Sequence, residues 1–493
     1  MHQLTKTDFK YYLDCPESIW LLKNKPEVYP KGEFSLFAEK LIKEGYEVEA
    51  YAKQLFPNGV NLPEYGSPTA TQNAITSVHS VYFQPSFSTN KDVFARIDIL
   101  ERLADGTWHI YEVKSSTSIK KDRKHRQIED ACFQKYVLTE YGYVVSKVSI
   151  IHLNKEYIKI GDIVANELLE IADITDAVDN IYASVVNQIN AASNFINKEI
   201  INETVCSCKY KTRSNHCDAF NYFNTTIPEY SIYEIGRISA KKVGLLADNE
   251  QLAIIDIPLD FELNINQQTQ VESVKQEQPI LNIPNIKREL DKLKFPLHFI
   301  DYETYASAIP RLDGLSPHKH LTFQVSIHTL TEDDTLTHFE YLLDDMQMPI
   351  DMIQSMQDFT GSTGTFVSWH ASFEIGRNKD LIEWLPQFTN YLTYINEHTF
   401  DLETIFKKDY IDYRFHGSSS IKKVLPVLCP DITYSDLDVN NGTMALDTWG
   451  RMVLDPNFNE DIETTRKNLL EYCKLDTLAM VKIYEILTKV LQD

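Results

Sequence analysis

The stretch "FPLHFIDYETYASAIPRL", residues 295–312, sets two acids one residue apart inside an otherwise apolar run. A strand alternates its side chains between faces, so Asp301 and Glu303 leave the same face. Either the pair is exposed at a strand end, or something positive sits between the two carboxylates. Two further acids downstream can share it. "SWHASFEIGRNKDL" places Glu374 after a strand and a turn, at the start of a helix. "LLEYCKLDTLAM" places Asp476 on the last helix, with Tyr472 one turn earlier on the same face. Four carboxylates from three elements can hold two divalent cations about 4 Å apart, one activating water and one stabilising a leaving oxygen. Tyr472 is then placed to orient the attacking water.

A second group of charges lies in "FARIDILERLADGTWHIYEVKSS", residues 94–116. Asp105-Gly106 is a strong hairpin signal, and it folds the strand after Asp98 back beside the strand carrying Glu112 and Lys114. Asp and Glu are oxygen ligands suited to Mg2+ or Mn2+. A lysine beside them can orient water and stabilise charge developing on a phosphate.

These segments resemble known families. The N-terminal part, about residues 1–225, is similar to the PD-(D/E)XK nuclease core of the RecB-like nucleases, and among them to the CRISPR-associated iron–sulfur members. "YYLDCPESIWL", "EGYEVEAYAKQLFP" and "DACFQKYVLTEYG" carry the likeness alongside the hairpin. The resemblance implies Asp98 and Glu112 as metal ligands, Lys114 as catalytic lysine, Glu49 as a further ligand, and Gln134 and Tyr136 as a catalytic and a substrate-binding residue. It also implies that Cys15, Cys206, Cys208 and Cys217 hold a [4Fe–4S] cluster, with zinc as the chemical alternative for four thiolates. Cys132, Cys429 and Cys473 read as packing residues.

The C-terminal part resembles the DEDD exonucleases of RNase H-like fold, in their Tyr-x-x-x-Asp subclass. "HASFE" departs from that family's second motif, with His370 and Glu374 where Asn and Asp are usual. "TFDLETIF", with Asp401, resembles an Asp-Leu element between motifs. "GSSSIKKVLP" then places Lys422 and Lys423 toward substrate phosphate. The whole chain resembles a bacterial family of unknown function that joins these two modules.

The expected fold is α/β, with a RecB-like PD-(D/E)XK domain at 1–228, a connecting region at 229–290 rich in Gln, Asn and Glu, and an RNase H-like domain at 291–493. The chain has 493 residues, 43% hydrophobic and 24% charged, which is ordinary globular composition. The net charge of −23 argues against a broad nucleic-acid-binding face, but "SIKKDRKHRQ", residues 118–127, offers a local basic strip. No apolar run reaches the ~18 residues of a membrane span, and "MHQLTKTDFKYYLDC" has no secretory pattern. A cytoplasmic location follows as an expectation, with no membrane partner. The expected function is a metal-dependent nuclease with two centres, acting on DNA more than RNA, with protein partners undetermined. The alternative is a single-centre or non-catalytic nucleic-acid-binding subunit of a defence or repair assembly.

Overall fold

The computed structural model describes residues 2–492 apart from 31, 33–34, 63–66 and 76–78. It is a mixed α/β chain in two compact units. The first comprises Met1–Thr226 with Ser307–Lys319, and the second Ile227–Ala306 with His320–Asp493.

The first unit is built on a six-stranded sheet whose strands lie in chain order: β1 (Val60–Asn61), β2 (Val81–Phe83), β3 (Ile99–Arg102), β4 (Trp108–Lys114), β5 (Val145–Leu153) and β6 (Leu169–Asp173). β1–β2 and β4–β5 are parallel, and the other neighbours antiparallel. The β3–β4 hairpin turns at Gly106, whose φ of +82° a side chain would disfavour. Alternation along β4 sets the site. Trp108 and Ile110 pack with residues of α1 (Lys6–Asp14), α4 (Gln127–Glu140) and α5 (Thr175–Ile196). Tyr111 packs on the opposite face with Val48 and Ala52 of α3 (Leu36–Gln54). Glu112 and Lys114 share the parity of Ile110 and so face α4. α2 (Pro16–Asn24) starts directly after Cys15.

Segment 307–319 was expected within the C-terminal module but completes the first unit. Ala308 and Ile309 are fully buried in the α3-side core, and Arg311 pairs with Glu47.

The second unit carries β7 (Leu297–Tyr305), β8 (Leu321–Leu330), β9 (Leu336–Leu342), β10 (Thr365–Ser368) and β11 (Thr399–Asp401), in sheet order β9-β8-β7-β10-β11. β7 is central, antiparallel to β8 and parallel to β10. The even positions Ile300 and Tyr302 of β7 pack with α7 (Ile350–Thr360) and α8 (Ser372–Trp384). The odd positions face the other side. There Phe299 meets Tyr484 of the last helix, at 5.8 Å between ring centroids, and Tyr305 meets Trp449 at 5.6 Å.

The region 229–290 is not a bare connection. Its α6 (Ile265–Gln276) opens with a reciprocal Asn264–Gln267 capping box. Gln270 is buried, accepting from Gly236 N–H at 2.9 Å and donating to Glu234 O at 2.9 Å. The polar residues that read as linker composition serve as caps and buried hydrogen-bond partners. The remaining helices used below are α9 (Ile421–Leu428), α10 (Gly442–Leu454) and α11 (Ile462–Val490).

Candidate active sites

The odd face of β7 carries Asp301 and Glu303 toward α11, which supplies Asp476. One carboxylate oxygen from each of the three lies within 4.8 Å of the others. Glu374, in the first turn of α8, is 3% exposed, and its Oε2 has no hydrogen-bond partner. It stands outside the three-acid group but adds its repulsion to Asp301 and Glu303.

Burial, with mutual repulsion among the acids, raises these carboxyls. Burial, then Asp476, Glu303 and Glu374, push the Asp301 carboxyl well above its usual range. Burial and Asp476 push Glu303 up to about 8, against the pull of the Lys422 ammonium. Burial, with Asp401 adding, takes Glu374 up to about 8. Asp476 is raised by burial, against the hydrogen bonds it accepts from Tyr434 and Tyr472 and the charge of Lys422.

Tyr434 Oη donates to Asp476 Oδ1 at 2.6 Å. Burial and the three neighbouring acids hold the Tyr472 phenol firmly protonated, so it remains a donor. Lys422, expected to face substrate phosphate, has its Nζ 5.3 and 5.2 Å from the ring centroids of Tyr434 and Tyr472, and donates to Asn440 O at 2.8 Å. Lys423 is exposed. Cys473, read from sequence as packing, is buried with Sγ 3.5 Å from Asp301 Oδ2. Asp401 Oδ1 accepts the backbone N–H groups of His370 and Glu403, both at 3.1 Å.

In the first unit the hairpin sets Asp98 beside β4, where its Oδ2 accepts Val113 N–H at 2.8 Å. Burial and the Glu112 charge raise the Asp98 carboxyl to about 7. Glu112, 1% exposed, accepts on Oε1 from Lys6 at 2.7 Å and Lys114 at 2.5 Å, and on Oε2 from Gln134 Nε2 at 2.5 Å. Burial opposes its ionisation, but the two ammoniums outweigh burial and hold it below the usual carboxylate range. Lys114 also pairs with Asp130 Oδ2 at 2.8 Å.

Glu49 is paired with Lys53, one turn along α3, at 2.7 Å. Among the described residues it joins no group of three ligands. Tyr136 is 2% exposed and lies in the core, where its buried Oη has no hydrogen-bond partner. It sits two residues past Gln134, on a different side of α4. The basic strip is a loop after β4, in which Asp122 accepts from His125 at 2.9 Å and Arg126 donates to Asp14 at 2.9 Å.

The Sγ atoms of Cys15, Cys206, Cys208 and Cys217 all lie within 4.8 Å of one another. Asn224 Nδ2 donates to Cys206 Sγ at 3.2 Å, and Lys211 Nζ approaches Cys208 Sγ at 3.5 Å. Such donors stabilise thiolates.

Sequence reasoning missed Lys6, Asp130 and Tyr434. Asp130 had a signal, since it lies one helical turn before Gln134. Lys6 and Tyr434 come from distant segments with no motif of their own.

A family model described only as a domain of unknown function, DUF2779, matches residues 298–420. The span includes Asp301, Glu303, Glu374 and Asp401, and stops before Lys422 and Asp476. No curated protein matches the chain.

Proposed function

We propose that the protein is a metal-dependent nuclease, with an exonuclease-type centre at Asp301, Glu303, Glu374 and Asp476 and a RecB-like centre at Asp98, Glu112 and Lys114. The observation that carries the reading is the buried gathering of Asp301, Glu303 and Asp476 within 4.8 Å. Buried acids are stable together only when protonated or bridged by cations. Their oxygens suit Mg2+ or Mn2+, and the orphan Glu374 Oε2 is a further donor facing no partner. The residues therefore fit the ions.

Bound divalent ions would supply a polarised phosphate and a water of lowered pKa. The chain's own residues do the rest. Tyr434 fixes one oxygen of Asp476. Tyr472 offers its hydroxyl to orient water. Lys422 limits repulsion between Glu303 and Asp476 without closing their oxygens. In the first unit, Lys114 would place its ammonium against charge developing on the phosphate, and Gln134 holds Glu112 in place.

The RNase H-like reading of the second unit is supported by the β9-β8-β7-β10-β11 order with the acidic strand central. The PD-(D/E)XK reading of the first is supported by the hairpin that pairs Asp98 with Glu112-Val113-Lys114. DNA is the proposed substrate ahead of RNA. A reducing, cytoplasmic setting agrees with seven unpaired cysteines. No helix among the described residues is long and apolar enough to cross a membrane.

The cysteine site is proposed as a metal staple between the N-terminal helices and the end of the first unit. The gathering of four sulfurs within 4.8 Å of one another supports a metal there, a [4Fe–4S] cluster or, as the alternative, zinc.

Labelled single- and double-stranded DNA and RNA, incubated with Mg2+, Mn2+ or EDTA, test the proposal. Ion-dependent cleavage that falls in Asp301→Asn or Lys114→Ala supports it. No ion-dependent cleavage of any of these by the wild type overturns it.

A further inference from the structure

The second unit holds a cavity of about 320 Å3 whose lining includes none of the four acids of the second centre. It lies between the first turn of α6 and the segment 406–419, which leads into α9. Its size suits a small ligand. Backbone contact fixes its wall: Gly417 has a φ of +69°, and a Cβ there would collide with Glu234 O. The buried rings of Phe406 and Phe415 back the cavity, and Ile265 lines it although 73% exposed. The charges around it do not cancel. Asp412 is taken by Arg414, with Nη2 2.6 Å from Oδ2, and Lys407 is paired with Glu403. Arg237 and Lys408 also line the cavity, both exposed, and no described residue pairs with either. Asn264 and Asn266 complete the lining used here. Asn264 accepts Gln267 N–H and Asn266 donates to Lys407 O, which leaves Asn264 Nδ2 and Asn266 Oδ1 without described partners. The cavity is close to the acids. Ser419 on its wall is three residues before Lys422, so their Cα atoms are at most about 11 Å apart.

We propose that this cavity binds a nucleotide, with its phosphate on Arg237 and Lys408 and its base against Ile265. The choice of a nucleotide rests on the nuclease reading of the second unit. Arginine and lysine are the side chains that take phosphate, the first by two parallel hydrogen bonds and the second as a point charge. A simple anion would leave the apolar wall unused, and an apolar ligand would leave both cations unused. A base has an apolar face for Ile265 and a polar edge for the open donor of Asn264 and the open acceptor of Asn266. The nucleotide belongs either to the strand whose end lies at the acid centre or to a free mononucleotide, since both carry the same groups.

The test uses the full chain in EDTA, so that no ion bridges phosphate to the acids and nothing is cleaved. Calorimetry measures binding of dTMP, short oligo(dT) and inorganic phosphate. Arg237→Gln and Lys408→Gln should each weaken nucleotide binding about tenfold, the usual loss when a charged hydrogen-bond partner is removed. Ile265→Ser should weaken nucleotide binding and leave inorganic phosphate unchanged. All three side chains are exposed, so circular dichroism should not move. Oligo(dT) bound more tightly than dTMP assigns the cavity to the strand, and equal binding assigns it to a free nucleotide; either supports the site. Nucleotide binding that none of the three substitutions weakens, inorganic phosphate bound as tightly as the nucleotides, or no binding at all overturns the proposal. Each of these can occur with ion-dependent cleavage intact, and nucleotide binding lost in the variants can be seen in a protein that cleaves nothing, so the two readings fail separately.

Discussion

Glu303→Gln should stabilise the ion-free protein, and more so as pH rises. Glu303 is 8% exposed. Its carboxyl is pushed from an ordinary 4.5 up to about 8, by burial first and then by Asp476 and Glu374. Between those two values the folded protein binds more protons than the unfolded chain, so stability falls as pH rises and the loss is complete above about 8. From pH 6.5 to 8, Glu303 alone should cost about 1.5 kcal/mol at 1.36 kcal/mol per pH unit, tapering near its pKa. This window avoids the buried histidines His109, His298 and His328 and the half-buried His338. Burial lowers all four, so their linkage lies below the ordinary 6.5. The assay is urea unfolding in EDTA at several pH values, with and without Mn2+. The wild type should lose stability across the window, and Glu303→Gln should lose about 1.5 kcal/mol less. Mn2+ should cancel the loss in the wild type and do little in the variant. Equal pH slopes for the two proteins, or an unchanged Mn2+ response in the variant, would refute the reasoning.

Tyr434→Phe should weaken Mn2+ binding in the second unit by about 10–100-fold, the usual cost of losing a ligand's hydrogen-bond partner; calorimetry reads this directly. Lys114→Ala should lower cleavage by the first unit by about 100-fold or more, measured in an Asp301→Asn background, while circular dichroism stays unchanged. Tyr472→Phe should slow turnover of the second centre without abolishing its Mn2+ binding, because the phenol is asked to orient water and not to ligate. Cys217→Ser should lose the bound metal in elemental analysis and lower the unfolding midpoint of the first unit, since metal binding is folding free energy for such a site; full metal content in the variant would exclude Cys217 as a ligand.

Some of this was readable in one dimension because it depends on short-range geometry. Asp105-Gly106 fixes a hairpin, and a hairpin fixes which residues oppose Asp98. The period-two rule puts Asp301 with Glu303 and Glu112 with Lys114, and the structure has both pairs on single faces. The i, i+4 rule puts Tyr472 beside Asp476. Other readings rest on a local signal that serves two ends. Gln- and Asn-rich composition marks linkers, but the same residues cap α6 and fill buried hydrogen bonds at Gln270. Glu49 has the residue type of a ligand, but a lysine one turn along the helix takes it. Tyr136 shares a helix with Gln134, but two residues along a helix turn a side chain to another side.

What the sequence by itself determined is the set of local pairings: two strands each carrying charges at alternate positions, a hairpin, a terminal helix with Tyr and Asp one turn apart, and four cysteines split between the chain start and residues 206–217. What only the tertiary structure decided is which distant charges meet. Lys6 reaches Glu112 across 106 residues, Tyr434 reaches Asp476 across 42, and segment 307–319 leaves the strand bearing Asp301 to fill the core of the other unit. The physical reason is that these partners are chosen by packing. A buried charge takes whichever opposite charge the fold delivers, and that delivery is set by the summed burial of many apolar residues, not by any pattern around the charge itself.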